Sequence, residues 1–157
     1  MKTLADLFEH TLRDVYYAES ALTKALPKIS KAVKSADLKK AVDAHLKETK
    51  GQIETLKKVF TTIDAQPSGE KCDAIEGLIA ECEGLMKEAS GNALDAGLLA
   101  AAQAVEHYEI ARYGSLREWA KVLGNTEAHN LLTEILDQEK AANSKLTNLA
   151  VSSLNKK

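Results

Sequence analysis

Residues Ala100–Leu116 read AAAQAVEHYEIARYGSL, an apolar helical seam broken by two glutamates one turn apart. At alternating steps of three and four residues the seam runs Leu99, Ala102, Glu106, Glu109, Tyr113 and Leu116. Two carboxylates therefore stand where core residues belong. A carboxylate taken out of water without a partner loses its hydration and gains nothing in return, so glutamate is almost never buried alone. Something positive is expected inside.

Three further seams repeat the interruption. Thr3 and Asp6 form a capping pair ahead of a stripe of Phe8, Leu12, Val15, Glu19, Leu22, Leu26 and Ile29, and Pro27 predicts a kink or tightened turn before Lys34. Ser35 caps a second helix over Asp37–Thr62, whose inward stripe reads Leu38, Ala41, His45, Glu48, Gln52, Thr55 and Val59. The third helix begins at Asn92 or Asp95 and runs to about Leu123, where Gly124 stops it. Asn125 or Thr126 caps the fourth, Glu127–Ser152, with Leu132, Leu136, Glu139, Asn143, Leu146 and Ala150 inward. Short connections make each half of the chain a helical hairpin with glutamate in both seams.

Between the hairpins, Ile63–Lys71 is turn chemistry and Cys72–Ala89 a shorter helix within a long crossover. Lys24–Lys58 carries ten lysines against four acids, and Asp64–Glu88 seven acids against two lysines. The crossover is thus placed to lie over the basic hairpin, unless both faces are simply solvated. Cys72 and Cys82 would lie about 15 Å apart along a straight helix, too far for a disulfide, and read as free thiols.

Depth along the bundle brings the glutamates together. Glu19 lies 16 residues before Ser35 and Glu48 13 after it; Glu109 and Glu106 lie 15 and 18 before Gly124, and Glu139 15 after it. At about 1.5 Å per residue these offsets agree to roughly one turn. Five ionised carboxylates at one level repel one another, and no seam lysine or arginine stands at that height. Oxygen-rich coordination of two divalent metal ions resolves the conflict. His45, one turn before Glu48, is either a ligand, a partner orienting a carboxylate, or a hydrogen-bonded core histidine. Tyr16 and Tyr113, each one turn from a candidate ligand, either hydrogen-bond to it or, as is more usual for aromatics, simply pack, and Gln52 and Asn143 orient carboxylates or pair as buried amides. His107 falls on a flank, and His10 and His129 lie far from the central level.

A chain of 157 residues, 45% hydrophobic and 4% aromatic with two prolines, fits one all-α domain over 1–157. Its net charge of -2 lacks the basic excess that drives nucleic-acid binding. No apolar run approaches the roughly 18 residues that cross a bilayer, and the charged Met1–Asp14 is no signal peptide, so neither membrane nor export is expected and the cytoplasm is the expected location.

The segments YYAESAL around Glu19, HLKETKGQ around Glu48, VEHYEIARYGSL around Glu106 and Glu109, and LDQEKAANSKL around Glu139 together resemble the YciE/YciF-type branch of the ferritin-like superfamily. The resemblance implies an antiparallel four-helix bundle with one long crossover carrying a small extra helix, and a homodimer. It also implies Glu19 as a terminal metal ligand, Glu48 and Glu139 as bridging ligands, and Glu106 with Glu109 as the ligands of the third helix. Where the usual di-iron pattern has histidine this chain has Gly51 and Ala142, and a carboxylate-rich set suits Mn²⁺ as well as iron.

The functional expectation is a di-metal carboxylate protein, iron first, that oxidises Fe²⁺ with O₂ or H₂O₂ in stress protection, with no catalytic residues beyond the metal ligands. The alternative is a non-redox scaffold or partner-binding bundle. A di-manganese catalase is a weaker third reading.

Overall fold

The computed structural model describes residues 1–156. Five α-helices follow in chain order: α1 (Leu4–Ala32), α2 (Ala36–Thr61), α3 (Asp73–Glu88), α4 (Gly91–Val122) and α5 (Thr126–Ser152), with a 3₁₀ turn at Leu154–Lys156. α1, α2, α5 and α4 close a ring in which every neighbour is antiparallel. Asp95 at the start of α4 accepts from Lys34 N and Ser35 N of the α1–α2 turn, each at 2.7 Å. At the opposite end, Asn125 Nδ2 donates to Thr62 Oγ1 at 2.8 Å. The residues between α2 and α4 must therefore travel the length of the bundle, and α3 does so against α1 and α4.

Local chemistry accounts for the helix ends. Thr3 and Asp6 form a reciprocal capping box; Ser35 Oγ accepts from Leu38 N; and Asn125, not Thr126, caps α5 by accepting from Ala128 N at 3.0 Å. Gly124 holds φ +74, the left-handed geometry that ends α4 at low cost. Pro27 stays inside α1, which stops at Ala32, short of Lys34. α4 begins one turn earlier than Asp95, at Gly91, because Asp95 is committed to the α1–α2 turn.

Arg13 pins the crossover by donating to Gln66 O and Ser68 Oγ, while Glu70 N donates to Arg13 O at 3.2 Å. The opposed charges of hairpin and crossover yield the pair Lys28–Glu83 at 3.1 Å, both partners substantially exposed, and Tyr17 Oη donates to Glu76 at 2.7 Å. Such exposed pairs are worth at most about 1 kcal/mol. Cys72 and Cys82 are buried free thiols; Cys72 Sγ caps α3 by accepting from Ile75 N.

The apolar interior is split in two. One cluster holds Leu22, Leu26, Leu38, Val42, Leu98, Val105 and Leu146, and extends to Ile75 and Cys82 of α3. The other holds Phe8, Leu12, Val15, Leu56, Phe60, Tyr113, Leu132 and Leu136. On every bundle helix the break between clusters falls at the polar residues of the seam.

Candidate metal centre

A plate of polar side chains lies across the bundle at that break. α1 contributes Glu19, α2 His45, Thr49 and Gln52, α4 Glu106 and Glu109, and α5 Glu139, none more than 8% exposed. Apolar residues anchor each seam above and below: Val15 and Leu22 on α1, Val42 and Leu56 on α2, Val105 and Tyr113 on α4, Leu136 and Leu146 on α5. Each such side chain gains about 1.5–3 kcal/mol on burial. That sum holds the carboxyls inside, provided something neutralises them.

Tyr113 Oη donates to Glu19 Oε1 at 2.5 Å, and Gln52 Nε2 donates to Glu139 Oε1 at 2.5 Å and to Gln138 Oε1 at 3.1 Å. His45 Nδ1 lies 3.2 Å from Glu106 Oε1 and Nε2 4.0 Å from Glu109 Oε2, yet neither nitrogen is aligned for a hydrogen bond. One donor atom from each of His45, Glu106, Glu109 and Glu139 lies within 4.8 Å of all the others. Among the described residues, the buried side-chain polar atoms without a hydrogen-bond partner all belong to this plate. They are one oxygen each of Glu19, Glu106 and Glu139, both oxygens of Glu109, both nitrogens of His45, Thr49 Oγ1 and Gln52 Oε1. Buried polar groups are ordinarily satisfied, and this cluster of facing donors and acceptors is one that could hold a cation.

Protons occupy the plate when nothing else does. Burial and the charge of Glu139 push Glu19 up to about 8 against the opposing Tyr113 hydrogen bond. Burial and contact with Glu139 push Glu106 up to about 10. Glu109 is raised well above the carboxylate range by burial and then by Glu19 and Glu139. Glu139 rises to about 7, burial outweighing the hydrogen bonds from Glu106 and Gln52. Burial lowers His45 to about 4, so its imidazole is neutral at pH 7 and keeps a lone pair for a cation.

Of the six residues singled out in the sequence, Glu19, His45, Glu106, Glu109 and Glu139 meet in the interior. Glu48 stands at the rim, its side chain 33% exposed and 3.9 Å from Lys145 Nζ. The reason is helical phase: α2 buries Val42, Thr49 and Leu56 where the seam had been placed through Ala41, Glu48 and Thr55. The larger side chains of Val42 and Leu56 carried the signal for that phase, and Thr49 was missed with it. On α5 likewise Ala142 faces inward, while Asn143 accepts from Gln103 Nε2 at 3.4 Å on the flank. Tyr113 anchors a carboxyl rather than merely packing, whereas Tyr16 packs edge-on against Phe60 with centroids 5.6 Å apart. His10 pairs with Glu70, His129 with Arg117 O, and His107 is exposed.

Residues 3–157 match the family model described as domain of unknown function DUF892. The chain belongs to that family. Protein YciF of Escherichia coli is 46% identical to it over 159 residues, covering 100% of this chain and 96% of YciF. The crystal structure of YciF, described as a stress protein of that organism, superposes with a TM-score of 0.95 over 100% of both chains. That of YcfI from Rhodopseudomonas palustris, 50% identical, gives 0.90 over 93% of this chain and 94% of the other. A Xanthomonas campestris protein at 18% identity, TM-score 0.75, covers 96% of this chain and 93% of its own and shares the fold. As a DUF892 bundle the chain is all-helical, and among its described residues no helix is long and apolar enough to cross a membrane.

Proposed function

We propose that the polar plate holds two divalent metal ions, iron first and manganese second, and that the protein oxidises Fe²⁺ with O₂ or H₂O₂. The cluster of buried orphan atoms carries this reading, because a donor set of carboxylates and one neutral imidazole suits these ions. His45, Glu106, Glu109 and Glu139 would hold one ion, and Glu19 with the remaining carboxylate oxygens the other. Glu48, at the rim one turn from His45, is the carboxylate a second ion would draw inward. Bound ferrous ions would supply the two electrons, and the medium the two protons, that reduce O₂ to H₂O₂ or H₂O₂ to two waters.

The chain's own residues do the rest. Gln52 and Tyr113 fix the orientations of Glu139 and Glu19. The apolar clusters on either side exclude water and strengthen every electrostatic interaction between them. Protons held by Glu106 and Glu19 leave when cations enter, so binding is pH-dependent. YciF is named a stress protein, and oxidant removal in the cytoplasm, by a homodimer of the kind the family resemblance implies, accords with that name.

The experiment is anaerobic loading with Fe²⁺ followed by ultraviolet absorbance on adding O₂ or H₂O₂. Rapid appearance of ferric absorption supports the proposal, and iron that binds but stays ferrous under both oxidants refutes the redox part. A structural role has been suggested for YcfI, and the raised carboxyl pKa values let the plate persist on protons alone. That second reading predicts a protein whose melting temperature rises with Mg²⁺ or Mn²⁺ but which carries out no metal-dependent oxidation.

A further inference from the structure

Beside the plate lies a cavity of about 60 Å³ inside the apolar cluster that holds Leu22, Val42 and Leu146. Its walls are Leu22, Leu26, Val42, Val105 and Leu146, with Cys82 of α3 closing one side. Its floor is His45 and Glu106, and its mouth opens at Ala44, Glu48 and Lys145 between α2 and α5. The void exists because alanines stand where a packed core would carry larger side chains: Ala25, Ala41, Ala102 and Ala142 all line it.

Size and lining select the occupant. An apolar cavity of about 150 Å³ stays dry and takes benzene or xenon, and a buried water needs two to four polar partners. This cavity is less than half that volume, and its Leu, Val and Ala walls offer water no partner; polar atoms face it only from the His45–Glu106 floor and the Glu48–Lys145 mouth. An aromatic or longer organic substrate does not fit within it. A small apolar molecule does.

We propose that this cavity is a binding site for dioxygen, which it holds at the His45–Glu106 edge of the plate. The proposal deepens the oxidase reading and rests on it for its purpose: of the two oxidants, the apolar route favours O₂ over the strongly hydrogen-bonding H₂O₂. The binding itself needs no metal.

The test begins with metal-free, methyl-labelled protein under oxygen pressure and, separately, under xenon. Paramagnetic relaxation by O₂ and xenon-induced shifts should be several-fold larger at the methyls of Leu22, Val42, Val105 and Leu146 than at those of Leu12, Leu56 and Leu132 in the other cluster. Equal effects in both clusters, or ordered water filling the cavity, would overturn the proposal whatever the plate binds. Substitution Ala142→Leu should fill the void and abolish the oxygen and xenon effects. In the iron-loaded protein it should slow oxidation by O₂ at least tenfold while changing oxidation by H₂O₂ less than twofold. An unchanged O₂ rate in a variant that no longer takes up xenon would equally overturn it; should that variant fail to fold, Ala25→Leu serves in its place. Metal counted per chain in the same samples separates failure of this proposal from failure of the metal centre.

Discussion

Tyr113 of α4 donates its hydroxyl hydrogen to Glu19 of α1 across 2.5 Å, with both side chains fully enclosed. The contact ties two helices at the polar plate, and it leaves Glu19 Oε2 as the oxygen still open to a cation. Removing the hydroxyl leaves Glu19 Oε1 buried without a donor. Tyr113→Phe should therefore lose about 1–3 kcal/mol of stability at pH 7 by urea unfolding. Unchanged stability would mean that the hydroxyl does not hold Glu19 in place.

Gln52 stands in the same relation to Glu139. In metal proteins, loss of such an orienting partner typically weakens binding 10–100-fold. Gln52→Leu should show that loss in a chelator competition titration, with helicity by circular dichroism unchanged.

The pH dependence of the metal-free protein follows from the raised carboxyls. Glu19 at about 8 and Glu106 at about 10 keep their protons in the folded state where the unfolded chain, with ordinary carboxyls near 4.5, has released them. Their contribution is complete below the unfolded value and is lost as pH rises through the folded one. His45 acts oppositely, but its window lies between its folded value of about 4 and the unfolded 6.5. From pH 7 to 9 the carboxyl effect operates without opposition from His45, and near pH 9 the buried thiols Cys72 and Cys82, also raised by burial, act in the same direction, so the melting temperature should fall across that range. The slope should flatten in Glu106→Gln, and saturating Mn²⁺ should reverse the loss by replacing protons with cations.

Asp95 provides a control away from the plate. It is 4% exposed and accepts from two backbone amides of the α1–α2 turn. Asp95→Ala should cost about 1–3 kcal/mol while leaving metal stoichiometry at the wild-type value.

The helices were legible because their caps and stripes agree. Thr3 with Asp6, Ser35 and Gly124 each punctuate the chain where its apolar period starts or stops, and a seam such as Phe8, Leu12, Val15, Glu19 and Leu22 tolerates no other phase. α2 was less determinate. With lysines and glutamates around much of its circumference, the steps through Ala41–Glu48 and through Val42–Thr49 differ by only one residue, and the helix contacts that choose between them are tertiary. Asp95 misled for a related reason: it is a good cap residue, and it does bind backbone amides, but those of a turn 60 residues away. The cavity was invisible because alanine is equally at home on a helix surface and at the edge of a void.

The central claim is that the orphaned atoms of the plate are metal donors. Equilibrium dialysis of metal-free protein against Fe²⁺ under anaerobic conditions, with metal counted per chain, tests it most directly. Two ions per chain in the wild type, and fewer than two in Glu139→Ala with the fold retained, are the predicted result. No bound metal in the wild type, or two ions still bound in Glu139→Ala, would contradict it.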